Sequence, residues 1–447
     1  MQEFSGVLKL PRILKSCKIS FHFATSPRWS FFAVNARTCD IRIREVPVRD
    51  SDMGEDSMKM HALVTILGVM VFGCSDVVVA DQISDAVQQL QSASAGGVGA
   101  TEARNAVRML SGSGESALLP VLKGFQGSNP VAVNWLRNAF EELVAAQQAA
   151  KKPLPADVLE AFIRDESQSP VARRLAYENL KTQDPEIEGR LIPDLLQDPS
   201  PEFRRDAVAR LIDESKKASD AAASTALLKK AFSGAVHEDQ VKDIAESLRK
   251  NGETVNIQRH FGFVPKWMII GPFDNKDEKG FAVAYTPETE LADGKPIDLA
   301  AEYDGQLGKV KWMPIATEDD YGVVDIAKQI ENYKGSLMYA TATWTSAGEQ
   351  QVEIRLGTPN SWKLWVNGKL VFEREEYHRS SQMDQYSVPI SLKSGENTLM
   401  LKVCQNEQTQ DWAQRYQFQL RVCDQSGSAV LPATSTAKNN RQTGAQQ

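Results

Sequence analysis

The sequence predicts a multidomain α + β protein, in which a solenoid of paired α-helices precedes an antiparallel β-sandwich of jelly-roll type. Three observations carry this expectation. A Pro-led amphipathic helix recurs between residues 130 and 211, and the composition turns rich in Trp, Tyr, Val and Thr after Asn251-Gly252. Strand-length runs bounded by glycine turns then continue to about residue 425. The expected divisions are 1–57, 58–80, 81–255, 256–425 and 426–447.

Composition sets the outer limits. At 42% hydrophobic and 24% charged, 447 residues have enough apolar side chains for two or three cores. The formal charge is −7, and no long basic stripe is present. Nucleic acid is excluded as a partner, since binding it depends on neutralising phosphates.

Residues 1–57 mix arginines with isolated aromatics (Phe21, Phe23, Trp29, Phe31, Phe32) and hold no period of 2 or 3.6. They are expected to be a non-native extension of the reading frame or disordered; a targeting presequence is the functional alternative. From Met58 the pattern is that of a signal peptide. Lys59 supplies a positive start, Ala62–Phe72 an apolar stretch, and Val78-Val79-Ala80 small residues before a cut between Ala80 and Asp81. The uncharged run Ala62–Ser75 is 14 residues long, whereas a membrane-spanning helix needs about 20. Acylation at Cys74 would make a lipoprotein, but the bulky Phe72 fits that cleavage poorly. The expected location is outside the cytoplasm, periplasmic or secreted, with no span in the mature chain.

Two cysteines follow the cut, Cys404 and Cys423. Read as one hairpin, residues 398–404 and 417–423 hold the two sulfurs about 20 Å apart at ~3.3 Å per residue. A disulfide needs Cα atoms within ~7 Å, so two free thiols are expected.

In the helical half, Pro130, Pro170 and Pro201 each follow a polar turn whose Ser or Asn suits a helix cap, with proline in the first turn. Ala132, Leu136 and Phe140 then line one face, as do Ala172, Ala176 and Leu180, and Phe203, Ala207 and Leu211. A weaker copy spans 238–248. The stretch LIPDLLQDPSPEFRRDAVARLID (191–213) resembles a HEAT repeat. The resemblance implies stacked helical hairpins with a concave surface, either a groove for a protein partner or a packed spacer.

In the second half, Tyr416, Phe418, Leu420 and Val422 alternate with Gln417, Gln419 and Arg421, as a strand with one buried face requires. Asn367-Gly368 between Leu364-Trp365-Val366 and Leu370-Val371-Phe372 signals a tight hairpin. Further strands are expected at 267–270, 337–344, 351–356, 386–389 and 398–403. Trp267-Met-Ile-Ile-Gly-Pro-Phe273, Lys363-Leu-Trp-Val-Asn-Gly-Lys-Leu-Val371 and Leu392-Lys-Ser-Gly-Glu-Asn-Thr-Leu-Met-Leu-Lys402 resemble galactose-binding-like β-sandwiches. The resemblance covers about 260–425. It implies a carbohydrate-binding or domain-packing module of the kind attached to glycoside hydrolases and exported bacterial proteins. Related modules carry an acidic stretch before the hairpin, where this chain has Gly357-Thr-Pro-Asn-Ser-Trp362, a poor donor set for a hard cation.

Little in the sequence points to catalysis. His237, His260 and His378 lie in no metal-ligand spacing, and no phosphate loop or nucleophile elbow is present. Asp274, Asp277 and Glu278 read as a solvated loop, and Glu373, Glu375 and Glu376 as charges blunting a sheet edge. No enzyme activity, cofactor or metal is expected. Sugar recognition has more support, because aromatic faces stack on pyranose C–H groups while polar neighbours read the hydroxyls. Strand alternation with Leu364 and Val366 inward points Trp365 and Lys363 outward, near Tyr377, His378 and Arg379. These five are the expected ligand residues, and Trp267, Trp344, Trp362 and Trp412 are expected in the core. The expected function is an exported, non-enzymatic protein that binds carbohydrate through its sandwich and a protein through its helices. The alternatives are a structural scaffold without sugar binding and an accessory subunit of a glycan-degrading system.

Overall fold

The structure, a computed structural model, describes residues 30–35, 40–45 and 79–433. Two compact units divide at Ala86/Val87. In the first, β1 (Ser30–Asn35) pairs antiparallel with β2 (Asp40–Glu45). The signal segment up to residue 78, with Cys74, lies outside the described residues, as does the tail from 434. Ala80 and Asp81 stand in the first turn of a helical stretch over 79–92 (α1).

Helices fill the first part of the second unit: α2 (Ala100–Ser111), α3 (Leu118–Lys123), α4 (Pro130–Ala149), α5 (Ala156–Arg164), α6 (Pro170–Gln183), α7 (Ile187–Leu191), α8 (Pro201–Lys216), α9 (Ala221–Gly234) and α10 (Glu238–Lys250). The three prolines open α4, α6 and α8 as the sequence predicts. Asn129 accepts from the Val131 and Ala132 amides and Ser200 from Phe203, while Ser169 makes no side-chain cap. The predicted apolar faces are buried in all three. Buried with them are two arginines, Arg173 and Arg204, that periodicity alone does not mark as interior.

A short helix, α11 (Ile257–Phe261), leads into the sheets. Next in order come β3 (Lys266–Asp274), α12 (Thr286–Ala292), β4 (Glu302–Gly305), β5 (Gly308–Lys311), β6 (Met313–Ala316), β7 (Val324–Asp325) and α13 (Ile326–Gln329). They are followed by β8 (Ser336–Ser346), β9 (Gln350–Gly357), β10 (Ser361–Val366), β11 (Lys369–Arg374), β12 (Tyr386–Leu392), β13 (Gly395–Gln405) and β14 (Gln417–Cys423). The strands form a six-stranded sheet, β11-β10-β13-β8-β3-β6, a four-stranded sheet, β12-β9-β14-β7, and the ribbon β4-β5. Asn367 and Gly368 both have positive φ, 51° and 83°, the geometry the predicted β10–β11 turn requires.

One core joins the two large sheets, with Trp362, Leu364 and Val403 from one and Ile354, Ile390 and Leu420 from the other. A second core lies on the opposite face of the six-stranded sheet, where Trp365, Met400 and Tyr339 meet Phe281, Leu291, Tyr303 and Trp312. The segment between β3 and β6 thus covers a face that alternation alone leaves to solvent. Lys402 pins it there, buried, donating to the carbonyls of Phe281 and Val283 and to the Glu288 carboxylate.

Two further expectations are corrected. β13 and β14 are not a hairpin, since they belong to different sheets. The thiols are nonetheless free and buried, as predicted. Residues 426–433 are not a loose tail. The Val430 amide bonds to the Val422 carbonyl, the Ala433 amide to Thr345, and the Ser426 and Ser428 hydroxyls accept from Arg204 on α8. At the same junction Arg249 forms a double-bonded pair with Asp320, and His260 holds the Ala235 carbonyl at 2.7 Å.

Candidate functional site

The carboxyl ends of β3, β11 and β13 meet the amino ends of β8 and β10 at one end of the six-stranded sheet, as Asp274↔Ser336, Trp362↔Arg374 and Ser361↔Cys404 in the registers place them. Loops 275–285, 375–385 and 406–416 therefore converge there. Trp412 stands on the last of these, 61% exposed. The His378 ring packs edge-on to it, with centroids 5.1 Å apart and planes at 88°.

A polar chain runs inward from this ring pair. His378 Nε2 lies 2.6 Å from Asn406 Oδ1, and Asn406 Nδ2 donates to Glu278 Oε1 at 3.0 Å. The Gln408 backbone amide donates to the same Asn406 Oδ1 at 3.1 Å. The Asp277 amide donates to Glu407 Oε1 at 2.6 Å, tying loop 275–285 to loop 406–416. Beneath, the fully buried Asn275 donates its amide NH2 to the Tyr377 hydroxyl and the Gln405 carbonyl, both at 3.1 Å. Burial raises the Tyr377 hydroxyl above its ordinary value. The arrangement offers an aromatic face beside carboxylate, amide and imidazole groups, which is a means of recognising a polar ligand.

The five predicted residues separate into two groups. Tyr377 and His378 lie at this loop end. Trp365 is 4% exposed inside the second core, and Lys363 is buried with it, paired to Glu373 at 3.0 Å and set over the Phe281 ring. Alternation holds along β10, but both faces of its sheet are covered, so the outward side is not a surface. Arg379 is exposed and, with Arg374, held by Glu376. Trp267, Trp344 and Trp362 are core, as expected; Trp412 is not. Its polar setting, Gln408-Thr-Gln-Asp-Trp412-Ala-Gln-Arg415, is the sequence signal that separates it from the others.

The cysteines offer no reactive thiol. Burial pushes Cys404 up to about 12 and Cys423 up to about 11. Among the described residues no His, Cys, Asp and Glu side chains gather into a metal-holding group. No helix among them is long and apolar enough to cross a membrane. On the helical half, a hollow of about 390 Å³ opens between α3 and α5, lined by Leu118, Leu119, Pro155 and Val158.

No protein-family model matches the chain, and no curated protein matches it. Among solved structures, it is similar to a Bifidobacterium dentium β-glucuronidase at 11% identity and a TM-score of 0.20, over 36% of this chain and 29% of that one. It is also similar to a Kluyveromyces marxianus β-glucosidase at 7% identity and a TM-score of 0.23, over 66% of this chain and 38% of that one. The chain thus spans well under half of either enzyme's length, and likeness at this level says nothing about its function.

Proposed function

We propose that the protein is an exported binding protein without catalysis of its own, and that its sheet half holds carbohydrate at the loop end around Trp412. In this reading residues 256–425 are a galactose-binding-like jelly roll, and residues 81–255 are HEAT-like repeats that carry a protein partner. The observation that carries it is the exposed Trp412 ring beside the His378–Asn406–Glu278 chain. An indole face stacks on the apolar side of a pyranose while such polar groups bond its hydroxyls. The test is a glycan array probed with the full chain and with Trp412→Ala. The reading requires at least one glycan whose signal the substitution removes. An array silent for both proteins, or a signal that survives the substitution, rejects it.

The junction between helices and sheets favours a second reading, a rigid scaffold. Arg204 and His260 are both engaged across that junction. The same array decides between the two.

A further inference from the structure

The hydrogen-bond chain at the loop end fixes which proton His378 carries. Gln408's backbone N–H can only donate, so the Asn406 atom facing it is the oxygen. Asn406 therefore turns its NH2 to the Glu278 carboxylate, which can only accept. His378 Nε2 faces that same Asn406 oxygen and must bear hydrogen. In the neutral ring the other nitrogen, Nδ1, is then a bare acceptor. It makes no hydrogen bond with the described residues and is not enclosed. On the same cluster of loops, Glu278 lies one hydrogen bond beyond Asn406 and Glu407 follows Asn406 in the chain, both exposed, so the polar groups around the His378–Asn406 pair are mostly acceptors.

From this we infer that the site is selective for neutral sugars over uronates, with His378 Nδ1 accepting a ligand hydroxyl. The inference rests on the carbohydrate reading above and adds to it the ligand class and the residue that reads it. A hydroxyl donates to Nδ1 or to a carboxylate without cost, whereas a ligand carboxylate brings a negative charge against three acceptors. The groups that face the ring are Asn406, Trp412 and Tyr377, with Glu278 reached through Asn406. On the ring's own loop, Glu376 and Arg379 pair with each other.

The experiment titrates the full chain with neutral gluco-, galacto-, manno- and xylo-oligosaccharides and with glucuronate, galacturonate and mannuronate oligomers, at neutral pH. His378→Gln is titrated in parallel, because a glutamine amide can still donate to Asn406 but has nothing at the Nδ1 position. The expected result is a neutral oligomer that binds about tenfold or more tighter than any uronate. His378→Gln should lose up to about tenfold in neutral-sugar affinity at unchanged melting temperature. Uronates that bind as tightly as neutral sugars, or a His378→Gln protein with wild-type affinity, overturn the inference and leave the carbohydrate reading standing. If no oligosaccharide binds, the carbohydrate reading itself falls and takes the inference with it.

Discussion

Arg173 and Asp198 form a doubly bonded ion pair, 2.9 and 2.6 Å long, with neither side chain exposed. Each partner is further satisfied by backbone, Arg173 Nε by the Ile163 carbonyl and Asp198 by the Ser200 amide. The pair ties α6 to the turn that opens α8. Asp198→Ala leaves a guanidinium buried without its charge partner, and should cost ~3–5 kcal/mol in a urea melt. Replacing both partners, as Arg173→Met with Asp198→Leu, should recover most of that loss.

The two tryptophans at 365 and 412 should behave in opposite ways. Trp365→Ala opens a cavity in the second core and should lower stability by ~3–5 kcal/mol. Trp412→Ala removes an exposed ring and should shift the midpoint little, within ~0.5 kcal/mol. A urea melt of each protein checks both statements, and equal losses would contradict the assignment of Trp412 to the surface.

Stability should also depend on pH through His260. Burial lowers its affinity for a proton, Arg204 and Arg421 lower it further, and the Ala235 carbonyl acts the other way without reversing the shift. The unfolded chain, with an ordinary value of 6.5, then binds the proton more readily than the folded one. The contribution is complete above pH 6.5 and is lost as pH falls from there through the lowered folded value. Thermal melts across that range should show a decline that His260→Gln, still able to donate to Ala235, largely removes.

Deleting the chain after Gln425 should destabilise the helices as well as the sheets. Arg204 would lose the Ser426 and Ser428 hydroxyls while still buried on its helix, an expected loss of ~1–3 kcal/mol. Hydrogen exchange should register it as faster opening of α8 relative to α5. Unchanged protection of α8 would count against a role for these contacts.

Much of the architecture was legible because it rests on local chemistry. Pro130, Pro170 and Pro201 mark helix starts wherever they fold, and Asn367-Gly368 admits one tight turn. Alternation along β10 also predicted correctly that Leu364 and Trp365 face opposite ways. What alternation lacks is any record of what covers each face. The segment that buries Trp365 lies 50 to 90 residues earlier, between β3 and β6, in short elements whose periodicity is weak. The loop cluster is hidden in the same way: Tyr377 and His378 follow the hairpin in sequence, but Asn406, Glu278 and Trp412 reach them only through strand order. The β13–β14 hairpin was inferred from adjacency in sequence, and the crossing of β14 into the other sheet leaves no mark in composition. The buried Arg173 and Arg204 were hidden by the usual rule that charge means surface.

The strap formed by residues 424–430 has a consequence for biogenesis. A ribosome delivers the helices well before this strap. Until Ser426 and Ser428 emerge, Arg204 must hold a shell of water in place of its final acceptors. The Arg204 contacts at this junction thus form later than those of Arg249 and His260, whose partners are made before the strap. A chain cut just before the strap would keep every strand and helix described above yet lack the hydroxyls that satisfy Arg204.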